Sequence, residues 1–216
     1  MKKLSIFGAA LLALMMASTV LASANNLLNN GSFELGNFTD WIEGVTPNGT
    51  PGAGFPIVTT WPLGGMNAAE YEVGEVTFDG TLQGATLSQT FSTTGGMLSL
   101  GFMYAAMGDG IHQNADGGDF VLLLDGTVLN SFDVGTINAT QLITGSLMGT
   151  DTVSPGVHTF EIEILRPFLS NPGNTPYQYI TGAFVNGPGG GTTPEPSTLL
   201  LLGSGIAGLW FRRKRS

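Results

Sequence analysis

Residues 108–120 read GDGIHQNADGGDF and set Asp109, Asn114, Asp116 and Asp119 in one glycine-rich loop. Carboxylate and amide oxygens suit a hard cation, and calcium is the ion that takes many of them at once. The spacing is neither that of an EF-hand nor that of a glycine-rich calcium repeat. Asp and Gly also form turns in their own right. The loop therefore reads either as a calcium site through Asp109, Asp116 and Asp119 or as a solvated loop of turn-forming Asp and Gly; as an end loop of a sandwich it is also the expected binding surface, with Asn114 as a ligand candidate. Sugar recognition asks for an aromatic platform beside polar groups, and Trp41, Trp61, Tyr71, Tyr177 and Tyr179 supply rings. Trp61, inside the Gly/Pro-rich stretch 44–65, is the ligand candidate, whereas Trp41 reads as core. Catalysis finds little: the chain has no cysteine, no His-Glu-x-x-His, no Gly-x-Ser-x-Gly, and only His112 and His158 as imidazoles. Two carboxylates still make a glycosidase where their spacing allows, which sequence does not give.

The elements that carry these residues are strands. Helical periodicity is hard to find, while short alternating runs bounded by Gly, Asn, Asp and Pro recur throughout. In MLSLGFMY, Leu98, Leu100, Phe102 and Tyr104 share a face; in HTFEIEIL, Phe160, Ile162 and Ile164 do, with Glu161 and Glu163 opposite. His158 falls on the same face as Phe160 and reads as a satisfied strand-end histidine. Asp125-Gly126 is a favoured tight-turn pair and makes residues 119–134 a hairpin. Further strands fit near 26–35, 69–78, 84–92, 140–148 and 177–186. About eight to ten strands in one domain predict an all-β, antiparallel β-sandwich.

Charge narrows the partners. Between residues 25 and 193 there are 15 carboxylates against one basic residue, Arg166, a net charge of −14. Nucleic acid is bound by Lys and Arg neutralising phosphates, so the domain should be repelled by DNA, RNA and anionic lipid. Without cysteine it has no disulfide framework and must be held by its core. Residues 25–187 are long enough for one such domain, since a chain of this size buries about 70% of its unfolded surface.

The two ends of the chain specify export. Lys2 and Lys3 precede an apolar run from Leu4 to Leu21, and Ala22-Ser23-Ala24 is a small-residue cleavage site, so residues 1–24 read as a secretory signal removed by signal peptidase. After a Gly-rich linker at 188–193, Pro194-Glu195-Pro196 is followed by 15 uncharged residues, Ser197 to Phe211, and then by Arg212, Arg213, Lys214 and Arg215. As a helix that run reaches about 22 Å, against a hydrocarbon core of roughly 30 Å. It makes a short inner-membrane anchor with its basic end in the cytoplasm. The order of triplet, apolar segment and basic cluster resembles the PEP-CTERM sorting signal of bacterial exported proteins, here residues 194–216. That resemblance implies an exosortase as partner, removing the tail after a transient stay in the membrane and passing the protein to the cell surface or its polysaccharide matrix.

A second resemblance lies in NLLNNGSFELGNFTDW, residues 26–41, and in SPGVHTFEIEI, residues 154–164. Both are similar to segments of the galactose-binding-like jelly-roll domains found among carbohydrate-binding modules. The resemblance implies a structural calcium held by Glu34 with an acidic residue near the last strand. PYQYITGAFVNG carries no such acid. The expectation is a non-enzymatic, exported jelly roll that binds extracellular polysaccharide through an end loop, the alternative being a secreted glycoside-active enzyme.

Overall fold

Alternation along the long strands decides the architecture. The computed structural model describes residues 26–188; the signal at 1–24, residues 189–193 of the linker and the sorting signal at 194–216 lie outside the described residues. In chain order the strands are β1 (Ile42–Val45), β2 (Gly49–Thr50), β3 (Ile57–Thr60), β4 (Asn67–Tyr71), β5 (Gly74–Glu75) and β6 (Gln83–Thr93). They continue as β7 (Gly96–Met107), β8 (Asp119–Leu124), β9 (Thr127–Asp133), β10 (Leu142–Val153), β11 (Gly156–Arg166) and β12 (Tyr177–Asn186). Two five-stranded antiparallel sheets, ordered β1-β6-β11-β8-β9 and β10-β7-β12-β4-β3, pack face to face, with β2 and β5 as a small separate pair. From β6 onward the chain crosses from one sheet to the other at each step except the β8–β9 hairpin, which is a jelly-roll winding.

One face of each strand fills the space between the sheets. Leu98, Leu100, Phe102 and Ala106 from β7 meet Phe160, Ile162 and Ile164 from β11, with Leu87, Phe91, Phe120 and Leu122 beside them, all buried. Each such side chain contributes about 1.5–3 kcal/mol by leaving water. The hairpin turn forms as its residues demand, with Asp125 and Gly126 both at positive φ (51° and 76°), the backbone of a type I′ turn.

Residues 26–35 differ from the strand expected there. Apart from a bridge at Asn26, the stretch is a run of turns, with Asn30 and Phe33 at positive φ. Asn30 explains it, because its buried side chain replaces a sheet ladder. The amide donates to the carbonyls of Asn37 and Thr39, its oxygen accepts from the Leu35 N–H, and its own carbonyl takes the Trp41 indole N–H at 2.9 Å. Trp41 is thereby fixed in the core between Phe33 and Phe160.

The strand directions give the sandwich two unlike ends. At one lie the β6–β7, β8–β9 and β10–β11 turns and the exit of the chain, where the Pro188 carbonyl accepts from Thr93 Oγ1 at 2.7 Å and from the Thr94 N–H at 3.2 Å. At the other lie Arg166 at the end of β11, Asp119 at the start of β8, and the connections 76–82, 108–118 and 167–176. β11 runs from one end to the other, roughly 33 Å at 3.3 Å per residue.

Candidate functional site

The connection between β7 and β8, singled out for its acids, is organised by them from within. Asp109 accepts from the N–H groups of Ile111 and His112 and pairs with the His112 ring at 3.1 Å. Burial opposes its ionisation, but the His112 and Ile111 amides hold its carboxyl below the usual range. Asp116 accepts from the Gly118 N–H, and burial pushes its pKa up despite that bond and the nearby Arg166 charge. Asp119 stands in β8 directly across from Asp133 of β9. Its Oδ1 is buried without a hydrogen-bond partner, and burial, then the Asp133 and Asp116 charges, push it up to about 7. Glu34 lies elsewhere, exposed in the N-terminal turns and accepting from the Ser32 N–H. Gly31 of those turns packs on Ala183, whereas Gly118 of the loop packs on Gln178, roughly 17 Å away along β12 at 3.3–3.4 Å per residue. Among the described residues no three metal-ligating side chains are grouped to hold an ion. Trp61 is 3% exposed and packs on Ala68, Ala105 and Tyr179.

Asn114 borders a pocket. The cavity, of about 530 Å³, opens at the end of the sandwich remote from Pro188 and is walled by three connections. Residues 113–115 form one wall, Val76 and Phe78 the second, and residues 168–171 with Asn174 the third, with Arg166 between them. The walls are tied together across the chain. Gln178, fully buried in β12, donates to the Gly117 and Pro176 carbonyls and accepts from the Val73 N–H, pinning the first wall to the sheet. Glu75, also buried, accepts from the Asp79 and Thr81 N–H groups, which curls residues 75–81 so that Phe78 stands out, 61% exposed. The Glu75 backbone bridges the Phe168–Ser170 segment in both directions, and Phe168 is 37% exposed.

Arg166 gives the pocket its electrostatics. It is the one Lys or Arg among the described residues, and it is 3% exposed. Its Nε donates to the Asp116 carbonyl at 3.0 Å and its Nη1 to the Val73 carbonyl at 3.1 Å. Among the described residues no carboxylate comes within ion-pair distance of it. Burial pushes its pKa down to about 10, which leaves it charged at neutral pH. Asn114 backbone groups pair with Ile137, while its Nδ2 is buried without a partner. The lining thus holds donor groups, from Arg166, Gln113, Asn114, Asn171 and Asn174, and the apolar side chains Phe78, Phe168, Val76 and Leu169, but no Asp, Glu or His. In a domain with 15 carboxylates this is a segregated surface. Apart from Asn114 none of these residues stands out in the sequence. The nearest signals are the isolated Arg166 followed by RPFLSNPGN and the lone Phe of VTFDG.

Fold and pocket together define an antiparallel β-sandwich with a cavity at one end. Residues 192–215 match the PEP-CTERM protein-sorting motif; the chain is therefore an exported protein, anchored in the membrane transiently before processing. No curated protein matches it in sequence. Among solved structures it is similar to TmCBM61 in complex with β-1,4-galactotriose, at 16% identity and a TM-score of 0.43, covering 74% of this chain and 97% of that one. It is similar also to the CBM22-1 xylan-binding domain of Xyn10C from Paenibacillus barcinonensis, at 12% identity and a TM-score of 0.42 over 77% of this chain and 96% of that one. A third is the K3 cleaved adhesin domain of Lys-gingipain from Porphyromonas gingivalis, at 12% identity and a TM-score of 0.45 over 76% and 100%. Scores of this size leave the reading of the pocket to its own residues.

Proposed function

We propose that the chain is a non-enzymatic glycan-binding protein of the cell surface or extracellular polysaccharide matrix, delivered there when an exosortase removes its C-terminal signal. Signal peptidase removes residues 1–24. The observation that carries the binding reading is the composition of the end pocket: amide and guanidinium donors for sugar hydroxyls, exposed Phe78 and Phe168 for the apolar face of a ring, and no carboxylate in the lining. Few precisely placed polar groups amid apolar side chains is what small-molecule sites look like. Asp119 and Asp133, the pair that a glycosidase reading would use, sit on adjacent strands and do not line the pocket.

The test is isothermal titration of the exported protein against neutral oligosaccharides, with Asn114→Ala, Asn174→Ala and Phe78→Ala beside the parent. Each variant should weaken binding about ten-fold or more, ~1.4 kcal/mol, with little change in melting temperature. Binding that survives all three overturns the assignment of the pocket. Release of new reducing ends from the same oligosaccharides, abolished in Asp119→Asn, would replace the binding reading by the enzymatic one.

A further inference from the structure

A second surface lies on the outer face of the β10-β7-β12-β4-β3 sheet. There the sequence EYE at 70–72 runs antiparallel to YQY at 177–179, with Tyr179 across from Glu70 and Gln178 across from Tyr71. Tyr71 and Gln178 turn inward and are buried, so the two glutamates and the two tyrosines share the outer face. The Tyr179 hydroxyl donates to Glu70 Oε1 at 3.1 Å, and the Phe55 ring lies 6.3 Å from that of Tyr177. Trp61 closes one side against Tyr179. Glu72 is 3% exposed, and its Oε2 has no hydrogen-bond partner.

Nothing in the described residues neutralises these carboxylates. Arg166 makes no ion pair with either, and Asp109 adds a further negative charge that is felt at Tyr177. Burial pushes both carboxyls up; a Tyr177 hydrogen bond opposes it at Glu72, where repulsion from Glu70 adds to it, and the Tyr179 hydrogen bond opposes it at Glu70. A buried carboxylate oxygen left without a partner, as Glu72 Oε2 is, is costly, and a cation near it lowers the cost. A bare metal ion suits the set poorly, since two carboxylates fall far short of the oxygens calcium requires and no third ligand is grouped with them. An ammonium suits it, because the flanking Tyr rings attract cations through their faces. Rings also stack on sugars, and the whole domain, at −14 before the tail, draws cationic polymers toward it.

We infer that this face binds the protonated amine of an amino-sugar chain, the ammonium on half-buried Glu70 with the charge of buried Glu72 behind it and the sugar ring against Tyr177. The site is separate from the end pocket, and neither reading needs the other. Isothermal titration of the exported protein at pH 6 with a glucosamine hexamer, its fully N-acetylated counterpart and hexalysine tests it. The free-amine sugar should bind at least ten-fold tighter than the acetylated one and tighter than hexalysine. Glu70→Gln, half-buried and safe for folding, and Glu72→Gln should each abolish that preference, while Asn114→Ala in the end pocket leaves it intact. Glu72→Gln should also melt at or above the parent temperature, which a merely structural glutamate would not allow. Equal affinity for the acetylated sugar, or a preference that survives Glu70→Gln, overturns the proposal. Binding of hexalysine as tight as the amino sugar reduces the site to general charge attraction and overturns it as well.

Discussion

At the scale of the residue, His158 shows how a side chain placed by strand alternation acquires a charge state. Its Nδ1 faces Asp125 Oδ2 at 2.7 Å and its Nε2 faces the Ser154 carbonyl at 2.9 Å. Both neighbours are acceptors, so both ring nitrogens donate and the imidazolium is the fitting form. The Asp125 hydrogen bond, helped by the Ser154 carbonyl, raises its pKa above the ordinary value of about 6.5. The stabilisation it gives is therefore complete below about pH 6.5 and is lost as pH rises through the folded-state pKa. Thermal melts between pH 5 and pH 9 should show the parent losing stability across that window and His158→Gln losing less. Parallel pH profiles would remove the role assigned to this pair. A satisfied strand-end histidine is legible at His158 in the sequence, but its Asp125 acceptor comes from a turn 33 residues away. The same limit applies to the acids of residues 109–119. Their density was legible, but not their use in binding the loop's own amides. Trp61 stands in an irregular segment, where exposure is set by what folds over it, and it packs on the sheet at 3% exposure.

At the scale of the element, β12 keeps both its halves packed on the core through one irregularity. Its pairing with β7 shifts register between Thr181 and Phe184. Before the shift Gln178 and Ile180 face inward, and after it Ala183 and Val185 do, so the bulge changes which parity is buried. Gly182 takes the required left-handed backbone at φ 60°. Gly182→Val should cost about 1–3 kcal/mol from backbone strain alone, seen as a lower urea midpoint with unchanged slope. It should also lower binding at the Tyr177 face, since Tyr177 and Tyr179 hold their orientation only in this register. An unchanged midpoint would mean the register does not depend on the glycine. Strands with clean alternation, β7, β11 and the β8–β9 hairpin with its Asp-Gly turn, were readable because their signals are local. The run 26–35 was not, because a single Asn with local hydrogen bonds overrides the alternation around it. The end pocket was least readable, since its walls are brought together by the contact of Glu75 with residues 168–170, about which neither segment carries a pattern.

At the scale of the whole molecule, charge and direction agree. The chain leaves the sandwich at Pro188, clasped by Thr93 and Thr94, while the end pocket opens at the far end of β11. A sorting motif at 192–215 follows within a few residues. A domain of charge −14 is held off an anionic bilayer surface, and the exit at Pro188, at the end opposite the pocket, is what favours the pose with the pocket pointing outward. Glycan binding should then not wait for release from the membrane. Blocking processing by replacing Pro194, Glu195 and Pro196 with alanine should leave a membrane-held form, confirmed by an intact mass that retains Arg212 to Ser216. Spheroplasts bearing it should capture a fluorescent neutral oligosaccharide with the affinity of the released parent, and Asn114→Ala in the same background should lose it. If only the released protein binds, the pocket faces the bilayer or is covered while the tail is attached, and the exit at Pro188 does not set the domain's orientation.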